Sequence, residues 1–133
     1  MKNILLAFAF LAYTDSQSPI NWQQTSHWRL YKIKGSVQFS ISADSLNLLK
    51  NYQLRSDSMV YFLHSADLMP ANMRPTWMGG AVATCLYDGK MRKILISLYG
   101  GFFYDQASGT FFQLPTQMKD DWLQYINGCL SSL

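Results

Sequence analysis

Residues 81–99 read AVATCLYDGKMRKILISLY, two β-rich runs separated by Asp88-Gly89. An Asp-Gly pair between such runs predicts a type I′ hairpin, because both central turn residues need φ > 0 and aspartate and glycine tolerate it. Beyond the hairpin the chain runs through Gly100-Gly101 into Phe102-Phe103-Tyr104, and the second arm is expected to continue across the glycine pair. Residues 105–109 (DQASG) then turn the chain, TFFQL at 110–114 runs back, and Pro115 ends that strand by withholding its N–H.

Upstream, residues 28–33 form a weaker strand signal, and Lys34-Gly35-Ser36 offers a turn into a second strand, where Val37, Phe39 and Ile41 alternate with Ser36, Gln38, Ser40 and Ser42. That period places Gln38 on the water face. A short helix is expected from Asp44, carrying Leu46, Leu48, Leu49 and Tyr52, followed by a strand at 58–64 (SMVYFLH). Residues 65–80 read as loop, punctuated by Pro70, Pro75 and Gly79-Gly80. The last element is a helix with Thr116 as N-cap, Asp120 and Asp121 near its positive end, and Met118, Trp122, Tyr125, Ile126 and Cys129 on one face. Gly128 is expected to end it early. The order ββαβ, loop, βββ, α predicts an α+β fold, an antiparallel sheet of about five to seven strands covered by the C-terminal helix.

The two ends and the composition bound the class. Met1-Lys2-Asn3, an apolar core at 4–13 (ILLAFAFLAY) and Thr14-Asp15-Ser16 have the layout of a secretory signal peptide, which assigns 1–16 to the signal and 17–133 to a single α+β domain. The expected location is secreted or periplasmic, without stable membrane insertion, since a spanning helix needs about 20 apolar residues. The 133 residues, 49% hydrophobic and 15% aromatic, suffice for one core. A net charge of +3 is spread without a basic run, which speaks against nucleic acid. Cys85 and Cys129, an even pair in an exported chain, are expected to form a disulfide; two buried thiols are the other reading.

Little catalytic chemistry is legible. The chain has no glutamate, and its eight aspartates are dispersed; Asp57 with Asp105 is the one imaginable glycosidase pair. His27 and His64 have no zinc spacing, and Cys85 lies inside a strand, far from the setting that activates a thiolate beside a histidine such as His64. No catalytic residue, metal site or cofactor is assigned. The function expected is that of a non-catalytic binding domain, a monomer or weak dimer, whose ligand is another protein or an envelope component. A carbohydrate-binding module is the alternative, and a small hydrolase the third reading. The candidate surface comes from YGGFFYD at 99–105, where neighbouring side chains of a strand point to opposite faces. If Phe103 and Phe112 pack under the C-terminal helix, then Tyr99, Phe102, Tyr104 and Phe111 face outward, with Trp77 at their border. The competing reading has these rings covered by another part of the chain.

Overall fold

The computed structural model describes residues 20–133 apart from Ser36; the signal peptide expected at 1–16 lies outside the described residues. The strands are β1 (Ser26–Lys32), β2 (Tyr52–Gln53), β3 (Asp67–Leu68), β4 (Ala81–Tyr87), β5 (Lys90–Ile96), β6 (Phe102–Asp105) and β7 (Thr110–Gln113). They form one seven-stranded antiparallel sheet in the order β2-β1-β4-β5-β6-β7-β3. The helices are α1 (Val37–Ser40), α2 (Ala43–Leu46), α3 (Ser56–His64) and α4 (Lys119–Leu130). This is the expected α+β class, with the C-terminal helix lying on the sheet. Among the described residues no helix is long and apolar enough to cross a membrane.

The hairpin forms as its sequence dictates. β4 and β5 pair from Tyr87↔Lys90 to Ala81↔Ile96, and Asp88 and Gly89 take φ of 54° and 73°. Beyond it the glycine pair acts differently from expectation. Gly100 and Gly101 adopt φ of 74° and 70°, so the chain reverses there, and residues 102–105 become a separate strand antiparallel to β5. Two successive left-handed residues close a turn, and only glycine takes such angles without a Cβ penalty. β7 then returns alongside, with Phe103 opposite Phe112.

Helices α3 and α4 share the inner face of the sheet. Trp28 and Leu30 of β1, Ala83 of β4, Ile94 and Ile96 of β5, and Phe103 are buried there with Met59, Leu63, Trp122 and Ile126 from the helices. Phe103 and Phe112 therefore do lie on the face beneath α4; the Phe103 ring meets Trp122 edge-on at 4.9 Å, and Phe62 meets the same indole at 5.1 Å. At about 25 cal/mol per Å², burying an indole of this size contributes about 4–6 kcal/mol. At the edge of this core the carboxylate of Asp105, fully buried, receives both Nε and Nη2 of Arg92 and the hydroxyl of Ser108.

Three local elements depart from the sequence reading, each for a tertiary reason. Residues 37–40 form a helical turn that buries the Gln38 amide against the Ala81 and Ile96 carbonyls, while β2 takes Arg29 and Leu30 on the side of β1 that a hairpin partner would use. Residues 56–64 are helical because Met59, Phe62 and Leu63 recur at three and four, one helical face against the core, which outweighs the β propensity of Val60 and Tyr61. The helix expected from Asp44 stops at Leu46, the only one of its leucines to be buried; Leu48 is 86% exposed, and Tyr52 joins β2. Ser42 caps this turn, its Oγ accepting from the Ser45 N–H at 3.2 Å. At the C-terminus Thr116 opens a 3-10 turn, and α4 passes through Gly128, which carries Cys129 on the helix.

Candidate functional site

The outer face of the sheet carries a row in register: Tyr31, Val82, Leu95, Tyr104 and Phe111 lie opposite one another across β1, β4, β5, β6 and β7. The chain between β1 and β2 crosses this face. Leu46 and Ile41 pack on Tyr31 and Val82, closing the half of the row nearest β1. The other half stays partly open. There Tyr104 and Phe111 stack at 4.4 Å, Phe39 of α1 lies 6.0 Å from Tyr104, and Trp77 sits 5.8 Å from Phe111 and 6.0 Å from Phe39. Phe39 is 42% exposed and the other rings are half-buried, so the quartet is a contiguous aromatic patch that water still reaches.

A buried amide holds the patch together. Gln38 is fully buried; its Nε2 donates to the carbonyls of Ile96 (2.8 Å) and Ala81, while its Oε1 accepts from the Trp77 indole N–H at 2.8 Å. One side chain thus ties α1 to the ends of β4 and β5 and fixes the orientation of Trp77. Gly79 makes the approach possible: a Cβ there would stand 2.7 Å from Gln38 Oε1 and 2.8 Å from the Gly35 carbonyl. Two further bonds pin the crossing segment, Lys93 Nζ to the Ile41 carbonyl at 2.8 Å and Gln106 Nε2 to the Phe39 carbonyl at 2.9 Å. Burial lowers the Lys93 pKa from its ordinary value.

The structure brings together three of the expected binding residues, Trp77, Tyr104 and Phe111. Phe102 is on the same sheet face, opposite Gln113, but its ring leans over Gly100 and stays outside the quartet. Tyr99 stands in the turn between β5 and β6, 55% exposed and apart from the other rings. Phe39 and Gln38 were not legible as site residues. The alternating pattern put Phe39 in the core and Gln38 in water; a single helical turn reverses both.

Candidate catalytic groups are engaged elsewhere. Asp57 is exposed and paired with Arg55 at 2.9 Å, whose hydrogen bond holds the carboxyl below its usual range, while Asp105 is buried against Arg92. Asp57, at the start of α3, and Asp105, on β6, are each engaged by their own guanidinium, so the imagined glycosidase pair is not assembled. Burial pushes the Cys85 thiol up to about 12 and raises that of Cys129 as well, which keeps both protonated at neutral pH. His64 is an exposed residue at the end of α3. Both cysteines are buried and free rather than joined in the expected bridge. Among the described residues no group of three or more His, Cys or Asp side chains is placed to hold a metal ion. No family model, curated protein or solved structure matches this chain.

Proposed function

We propose that the chain is a non-catalytic binding domain, secreted or periplasmic, that recognises another protein through the open half of its outer sheet face. The observation that carries this reading is the aromatic quartet. It is apolar, contiguous and only partly covered, and a buried glutamine fixes the orientation of Trp77 within it, which lowers the ordering cost of binding. Aromatic residues are enriched at the centres of protein interfaces, where pre-ordered rings lose little entropy on contact. The four rings contact one another at interplanar angles of 35° to 72°, a clustered aromatic anchor of the kind that concentrates binding energy in protein interfaces. The export-type layout of residues 1–16 supports the location.

The test uses the purified protein immobilised beside a Phe39→Ser, Trp77→Ser variant whose circular dichroism shows the fold retained. Soluble extracellular and periplasmic proteins of the source organism are passed over both, and polysaccharides over a parallel pair. Retention of one protein by the wild type alone supports the reading. Retention of a polysaccharide in its place establishes the glycan alternative, and equal behaviour of the two chains removes the quartet from the function.

A further inference from the structure

A cleft of about 450 Å³ opens on the same sheet face at the β1 end, and its lining shares no residue with the aromatic quartet. This volume falls within the roughly 300–1,000 Å³ common for small-ligand pockets. Its floor is made by the buried Tyr31 and Thr84, and one wall by Arg29 with Asn47 and Asn51. Arg29 is exposed; one of its Nη1 hydrogens goes to Asn51 Oδ1 at 3.1 Å, and its other donors meet no acceptor among the described residues. No aspartate contributes to the lining. The opposite rim is apolar, the cross-strand pair Leu86 and Met91, which are 37% and 47% exposed. A guanidinium with unused donors on one side and an uncovered aliphatic pair on the other is complementary to a molecule with an anionic head and an apolar body.

The backbone carries a second, independent signal. Between Ser26↔Leu86 and Arg29↔Thr84 the register of β1 shifts, so two residues of β1 face one of β4, and the first of them, His27, has φ of 55°. Glycine is the residue that takes this bulge position without strain. A histidine there, held by a 2.9 Å contact between Ser26 Oγ and its own Nδ1, puts an imidazole on the rim of the cleft at a conformational cost. Strain kept at a cleft rim is characteristic of binding sites.

The geometry points to a second binding site, distinct from the aromatic surface, for a small amphiphilic anion. Its carboxylate or phosphate head is held by the free donors of Arg29 with help from His27 and Asn47, and its apolar body lies against Leu86 and Met91. A forked guanidinium suits either head group. The Asn51 amide oxygen, accepting from Nη1, tethers one arm of that fork at the wall of the cleft.

Calorimetric titration of the purified protein with octanoate, octyl phosphate, octanol and octylamine tests this. The two anions are expected to bind saturably, octanol at least about tenfold more weakly, and octylamine not at all. The tighter of the two anions identifies the head group. Arg29→Gln, a surface change expected to leave the melting temperature nearly unaltered, should weaken anion binding by about tenfold to a hundredfold. His27→Gly should melt at or above the wild-type temperature while binding the anion about threefold to tenfold more weakly, a combination that a purely structural role does not produce. Octanol binding as tightly as octanoate, no saturable binding of either anion at millimolar concentration, or wild-type affinity in either variant overturns the site.

Discussion

Replacing Gln38 tests the account of the outer face most directly. Its amide satisfies the indole N–H of Trp77 and the carbonyls of Ala81 and Ile96 in a position with no exposure to water. Each buried group left without a partner costs about 1–3 kcal/mol, and relaxation makes the sum less than additive, so Gln38→Ala should destabilise the fold by about 3–5 kcal/mol. At about 2.1 cal/mol/K per residue, over a hundred-odd residues, that lowers the midpoint by roughly 12–20 °C. Gln38→Met keeps the volume and isolates the polar part, which should account for about 2–4 kcal/mol. Gln38→Glu is nearly isosteric but replaces the donating amide with an oxygen facing two carbonyls. Burial and those carbonyls favour the protonated acid, so its folded pKa lies above the unfolded value and the variant loses stability as pH rises through that folded value. Urea unfolding followed by tryptophan fluorescence measures all three, with a red shift of native emission as Trp77 loses its partner. A loss below about 1 kcal/mol for both Gln38→Ala and Gln38→Met would mean that water reaches these groups and that the amide does not organise the patch.

Other outcomes follow from the inner face. Trp122→Ala should cost about 3–5 kcal/mol in denaturant unfolding, and Trp122→Phe distinctly less, because the indole N–H is buried without a partner; equal losses would contradict that packing. Native protein at pH 8 should be slow to react with an aromatic disulfide reagent and should show two thiols once denatured; none after denaturation would establish the Cys85–Cys129 bridge instead. Because the folded pKa of Cys85 is raised from 9.0 to about 12, its contribution to stability is complete below the unfolded value and falls away as pH climbs from about 9 to about 12. Urea midpoints of Cys85→Ala should therefore decline less steeply than wild type across that window. Arg92→Met leaves the buried Asp105 carboxylate unpaired and should cost about 3–5 kcal/mol by thermal melting; a neutral result would place that carboxylate in contact with water.

The elements legible in the sequence are those whose signal is local. Asp88-Gly89 demands positive φ at both positions whatever surrounds it, the alternation at 110–114 divides Phe111 from Phe112, and the spacing of Trp122, Ile126 and Cys129 defines one face of α4. From these came the sheet, the covering helix and the sorting of Phe103 and Phe112 inward from Tyr104 and Phe111 outward. The elements not legible are those whose conformation is decided by neighbours distant in sequence. The VQFSI stretch at 37–41 alternates like a strand, yet β4 lies along one side of β1 and β2 takes Arg29 and Leu30 on the other, and neither partner is announced by anything near residue 37. The segment satisfies its backbone by a helical turn and buries its one amide against carbonyls 43 and 58 positions away. The rings of Phe39 and Trp77 meet those of Tyr104 and Phe111 only through that placement, because a pattern read along the chain records which side of its own element a residue takes, while what lies opposite that side depends on which strands have already paired.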